Sequence, residues 1–193
     1  MTTNAKPLGH VNIKGRLAFA DIFEPKSVNG GAPSYSTSII IPKGDAQLPA
    51  FEQAMKDVAQ SKWGDKWQAI YTAMEAGDKL AIHNGDLKAY DGFAGNLFIS
   101  SRRDPSKGRP TIVDADGKTQ LVQADGKPYS GCYAVALLAL WAQDNQFGKR
   151  INAELRGVQF WKDGDAFSGG AAPADETEFE DLSEGADAAA ALV

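Results

Sequence analysis

The chain has 193 residues, 43% of them hydrophobic and 23% charged, with a formal net charge of −5. This is ordinary globular usage, enough for one well-packed core with appendages and too little for two. Cys132 is the single cysteine and His10 and His83 are the only histidines, which excludes an internal disulfide and a Cys/His metal site and suits a reducing cytoplasm.

The net charge conceals a segregation. Residues 1–162 hold all 20 basic residues against 16 acids, a balance of +4, and from Asp163 onward nine acids follow with no base. A basic body joined to an acidic tail suggests a polyanionic ligand and a built-in competitor for it. The opening MTTNAKPLGH lacks the apolar core of a signal peptide. The longest apolar run, Tyr133 to Ala142, falls short of the ~20 residues that span a bilayer, so no membrane partner is expected.

From Val11 to Phe23 the sequence alternates with period two, placing Val11, Ile13, Leu17, Phe19 and Phe23 on one face and Lys14 and Arg16 on the other. A turn-rich loop with Lys26, Asn29, Gly30 and Gly31 leads to YSTSIIIP, a β-branched second strand that Pro42 ends. Phe51, Met55, Val58 and Lys62 recur at helical spacing after Pro49, and Trp67, Ile70, Tyr71 and Met74 continue the period as far as Gly77. This predicts a helical insert of one or two helices, with Trp63 and Trp67 in packing roles. A strand follows near Gly95 to Arg103, with Phe98 among the polar neighbours Asn96, Ser100 and Arg102 on one face. Two Asp-Gly pairs at 116–117 and 125–126 read as tight hairpin turns. Gly131 to Ala142 and Arg150 to Trp161 form the last two strands, with a bulge expected near Gly157.

Five or more antiparallel strands with glycine turns, a bulge and a helical insert fit a closed barrel better than a sandwich, because closure removes exposed edges. The expected fold is mainly β: an OB fold, the five-stranded Greek-key β-barrel, over residues 1–165, and a disordered acidic C-terminal tail over 166–193, whose small and acidic composition cannot build a core.

Proteins that hold single strands without sequence preference combine a positive groove with aromatic faces, since each nucleotide offers a phosphate and a π-face. The clearest such cluster is Arg102, Arg103, Lys107 and Arg109, just after the strand carrying Phe98 and shortly after Tyr90 and Phe93. Lys14 and Arg16 on the first strand form a second candidate. The connection DNQFGKR sets Phe147 beside Lys149 and Arg150, and in an OB fold this loop faces the ligand. Tyr129, Tyr133, Trp141 and Trp161 are further rings able to stack. Enzyme readings fare poorly. The DADG at 114–117 resembles a calcium loop, but Leu121 and the lack of a closing glutamate favour a turn. Neither a phosphate loop nor a nucleophile elbow occurs. No cofactor is expected. A protein-interaction module of the same fold, or a two-metal nuclease built from carboxylates, is the alternative.

LAFADIFEPKSVNGGAPSYSTSIIIPKGD, the WGDKW of the insert, YSGCYAVALLALWAQD and GVQFWKDGDAF together resemble the single-stranded DNA-binding proteins of tailed bacteriophages, through most of residues 8–165. The resemblance implies an OB fold, binding of single strands with little sequence preference, and a role in phage DNA replication, recombination or repair in the host bacterial cytoplasm. T7-type relatives use an acidic C-terminal tail to compete with DNA and to contact phage or host replication proteins. Their tails finish on a terminal aromatic, whereas this one ends AAAALV with its last aromatic at Phe179.

Overall fold

The structure is a computed structural model that describes residues 6–168. Seven strands form one sheet: β1 (His10–Lys26), β2 (Ser34–Pro42), β3 (Ile82–Asn84), β4 (Asn96–Arg103), β5 (Thr111–Val113), β6 (Tyr133–Asn145) and β7 (Gly148–Lys162). Five of them close on themselves in the order β1-β2-β4-β7-β6, all neighbours being antiparallel except β4 and β7. That circuit is the Greek-key OB barrel expected from the sequence. The short strands β3 and β5 add to β4 and β7.

Period-two burial fills the barrel. Ile13 and Leu17 of β1, Ile39 and Ile41 of β2, Ile99 of β4, Leu138 and Leu140 of β6, and Ile151, Leu155 and Val158 of β7 point inward and are buried. The helical insert consists of two helices, α1 (Leu48–Trp63) and α2 (Trp67–Ala76), separated by one 3-10 turn. Pro49 lies in the first turn of α1, and Gly64 ends it with a positive φ of 52° that few other residues adopt at low cost. Phe51, Met55 and Val58, together with Tyr71 and Met74 of α2, join the barrel core, and α1 packs on β1, β6 and β7. Lys62, on the same helical period, stays exposed.

Two expectations fail locally. Phe19 does not share the inward face of β1: its φ is +52°, the pairing with β2 breaks between Ala18 and Asp21, and Ile22 rather than Phe23 becomes the fully buried residue beyond the break. A bulge shifts the alternation by one, and Phe19 ends 45% exposed. Of the two Asp-Gly pairs, the first closes a turn bridged by Val113 and Gln120, while the second lies at the end of a 3-10 turn over Gln123–Asp125. The bulge expected near Gly157 is present: Leu137 pairs with Gly157 and Leu138 with Leu155, which leaves Arg156 as the extra residue. Residues 169–193, which hold most of the expected tail, lie outside the described residues.

Gly15 sits where β1 runs tight against β2. A Cβ there would lie 2.5 Å from Ile39 Cγ2 and 2.6 Å from the Ile40 carbonyl oxygen. Gly15→Ala is expected to lower stability by about 1–3 kcal/mol, the usual range for overpacking, seen as a lower urea midpoint with an unchanged slope.

Candidate nucleic-acid interface

Where β4 meets β7 the outer surface carries an open groove of about 760 Å³. The loop between β1 and β2 contributes Ala32 and Pro33 to one wall, and the turn after β4 contributes Asp104 and Lys107. Trp141 of β6 and Arg150 of β7 line the far side, with Lys79 and His83 below them in sequence. The β1–β2 loop, one of the two loops that frame the ligand face of an OB barrel, thus borders the groove, and Gln143 and Arg150 bring in the strands beside the other, the β6–β7 hairpin.

The sequence-predicted cations differ sharply in their partners. Arg102 and Arg150 line the groove and, among the described residues, make no ion pair or side-chain hydrogen bond. Arg103 is fully engaged: Nε donates to the Gly108 carbonyl (2.8 Å), Nη2 to the Lys107 carbonyl (2.7 Å) and Nη1 to Glu154 Oε1 (2.7 Å). Lys107 Nζ reaches the other oxygen of the same carboxylate at 2.7 Å. Glu154 therefore neutralises two of the five Lys and Arg side chains that line the groove and braces the turn that carries Lys107. Asp104 completes the brace by accepting from Ser106, and the side-chain and backbone hydrogen bonds from Ser106 hold its carboxyl below the usual carboxylate range. Arg109 lies outside the groove, its guanidinium 5.9 Å from the Phe23 ring.

The aromatic expectations divide in the same way. Phe147 occupies the tip of the β6–β7 hairpin and is 76% exposed, and Tyr90 is 57% exposed with its edge against Phe19. Phe93 and Phe98 are corrections, being only 2% and 6% exposed. The 85–95 segment folds over the outer faces of β2 and β4, and the two rings pack at 5.0 Å with Ala18 and Ile40 in a second apolar cluster. Gly85 permits the fold-over, since a Cβ there would lie 2.2 Å from the Phe93 carbonyl oxygen. Neither ring has a face open to solvent. Trp141, one of the further rings able to stack, lines the groove and is 46% exposed. Alternation along β6 carries the signal, because Leu138 and Leu140 point inward and Trp141 must then point out. Lys79 and His83 carried no local pattern.

Lys14 and Arg16 lie apart from the groove. Arg16 Nε donates to the Gly131 carbonyl (2.8 Å) and Nη2 to the Asp165 carbonyl (2.5 Å), and its guanidinium lies between the rings of Tyr133 and Phe167. The first residues of the acidic segment thus pack on the barrel, Asp163 accepting from the Tyr129 hydroxyl at 2.9 Å.

The hairpin itself is tied to the helical insert. Trp63 Nε1 donates to Asp144 Oδ2 at 2.8 Å, and Lys149 Nζ to Asp144 Oδ1 at 2.8 Å. The hydrogen bonds from Lys149 and then Trp63 hold the Asp144 carboxyl below its ordinary range. Lys149 is therefore engaged in placing the hairpin rather than free at its surface.

Free guanidinium groups beside an exposed indole on the ligand face of an OB barrel define a nucleic-acid-binding OB protein. The sequence model of the single-stranded DNA-binding protein of Enterobacter phage Enc34 matches residues 10–189, and the chain belongs to that family. Protein p50 of Acyrthosiphon pisum secondary endosymbiont phage 1 is 42% identical over 172 residues, covering 87% of this chain and 90% of that protein. Among solved structures, the Enc34 single-stranded DNA-binding protein in complex with single-stranded DNA superposes with a TM-score of 0.68 at 23% identity, over 82% of this chain and 89% of the other. The single-stranded DNA-binding protein gp2.5 of bacteriophage T7 gives a TM-score of 0.53 at 14% identity, over 89% and 96% of the two chains. Both likenesses concern the fold.

Trp63→Phe keeps the ring and removes the donor to Asp144. The Asp144 pKa is expected to rise toward the ordinary carboxylate value, and amide exchange at residues 145–148 to accelerate, both read by NMR. An unchanged Asp144 titration would show that Lys149 alone sets it.

Proposed function

We propose that the protein binds single-stranded DNA without sequence preference in the β4–β7 groove, serving phage DNA replication, recombination or repair without catalysing a reaction. The observation that carries this reading is the pair Arg102 and Arg150, unpaired among the described residues beside the exposed face of Trp141. Two uncompensated guanidinium groups attract consecutive phosphates, and an open indole accepts a base. Phe147 extends the stacking surface at the hairpin tip, with Lys149 holding the hairpin in place. Family membership supports the ligand, since a solved structure holds the Enc34 protein in complex with single-stranded DNA.

Single strands are expected to bind far better than duplex, with affinity falling as salt rises. Arg102→Ala and Arg150→Ala should each flatten the log–log salt dependence by roughly 0.7, the value per neutralised phosphate on single strands. Trp141→Ala and Phe147→Ala should each weaken binding by about 1–3 kcal/mol and leave the slope unchanged. A duplex bound as tightly as the single strand would overturn the groove reading. Labelled DNA incubated with magnesium or manganese should remain uncleaved.

The seven acids beyond Ser168 are a polyanion tethered to the barrel, and tethering through a short linker gives a local concentration on the order of millimolar. Deleting residues 170–193 should therefore raise affinity for single strands, most at low salt, where charge contacts are least screened. Titrating the intact and truncated chains at two salt concentrations measures the difference.

A further inference from the structure

A second aromatic and basic surface lies at the other end of β6 and β7. Trp161 is 46% exposed, with Lys162 Nζ 4.8 Å and Lys14 Nζ 5.2 Å from its ring centroid. Lys162 Nζ is also 4.7 Å from the Tyr133 ring, whose far neighbour is Arg16. Among the described residues no carboxylate pairs with Lys14, Arg16 or Lys162, in contrast to Arg103 and Lys107 in the groove. A ring-bearing surface whose cations have no carboxylate ion pair among the described residues matches a ligand that offers phosphates and flat rings together.

The strand geometry is bent to produce this surface. Tyr133 pairs with Lys162 and Ala134 with Phe160, so Trp161 is the extra residue of a second β7 bulge. In a regular strand Trp161 and Lys162 would point to opposite faces; the bulge leaves both exposed beside buried Phe160. The first β7 bulge leaves Arg156 exposed on the way, and it too has no ion pair among the described residues. Between the two surfaces runs the outward face of β6, where Tyr133, Val135, Leu137 and Ala139 are half-buried and lead to Trp141 in the groove. The eight-residue span from Tyr133 to Trp141 is about 27 Å at ~3.4 Å per residue.

We infer that Lys14, Tyr133, Trp161 and Lys162 form a second single-stranded DNA subsite, reached by the strand as it leaves the groove along the outer face of β6. This rests on the groove reading and extends it: the footprint of one domain is longer than the groove, and nucleotides beyond it stack on Trp161 while their phosphates take over the two ammonium groups from the ring.

The test compares oligothymidines of about 6 and about 16 nucleotides, spanning the range one OB domain covers, on the full chain. Trp161→Ala should weaken binding of the long oligomer by about tenfold and leave the short one unchanged, while Trp161→Phe, which keeps a ring, restores most of the loss. Lys14→Gln with Lys162→Gln should lower the salt slope by roughly 1.4 for the long oligomer alone, and this double variant keeps the test independent of any folding defect at Trp161. Variants that bind both lengths as the wild type does would overturn the subsite and leave the groove intact, whereas a wild type that fails to bind the short oligomer would overturn the groove itself. Variants with raised affinity for the long oligomer would assign this face to an acidic peptide segment and overturn the proposal.

Discussion

The parallel ladder that closes the barrel is two residue pairs long, Ser101 with Ala153 and Arg102 with Glu154. Everything at the groove depends on it, because it brings the end of β4 against the start of β7 and sets Arg102 and Arg150 on one surface. Parallel pairing is slightly weaker per residue than antiparallel pairing, and a side-chain relay anchors the β4 side of the ladder to the rest of the barrel. Ser101 Oγ donates to the Thr37 carbonyl at 2.9 Å, and Thr37 Oγ1 donates to the Ala18 carbonyl at 3.0 Å. Both hydroxyls are buried, so both need partners, and together they stitch β4 to β2 and β2 to β1. The carbonyl they end on sits where the β1–β2 register breaks, so the relay also satisfies an acceptor beside the bulge.

Bulges do the shaping elsewhere. An aromatic residue with φ of +52°, as at Phe19, costs on the order of 1–3 kcal/mol and persists only where its surroundings hold it. Here the Tyr90 ring meets it edge-on at 5.0 Å and Phe93 lies 5.9 Å away. The break frees β1 to bend around the barrel end, and the 85–95 segment covers the outer surface beside it. In β7 the two bulges instead turn side chains outward, Arg156 at one and Trp161 at the other.

Much of this architecture was readable in the residues. Alternation in β2 and β6, in β1 and β7 between their bulges, and most of the helical period from Phe51 to Met74 are local signals that survive folding. Of the basic run from Arg102 to Arg109, Arg102, Arg103 and Lys107 line the groove and Arg109 does not. What escaped was set by contacts between segments distant in sequence. Phe98 stands among polar neighbours on its strand, yet a segment arriving from residues 85–95 buries it. Arg103 looks as available as Arg102, and only the parallel pairing that carries Glu154 alongside distinguishes them. Lys162 lies one residue past the expected end of the last strand, and its exposure beside Trp161 follows from a one-residue shift that periodicity cannot locate.

The hydrogen bond from Trp63 to Asp144 joins the C-terminal end of α1 to the base of the β6–β7 hairpin. Two elements so joined share their fluctuations: when the hairpin opens away from the barrel, the last turn of α1 loses its anchor. By thermodynamic linkage, anything that holds the hairpin against the groove also raises the free energy needed to fray the insert. The helices do not touch the groove at Trp63, yet their resistance to a protease would rise with its occupancy.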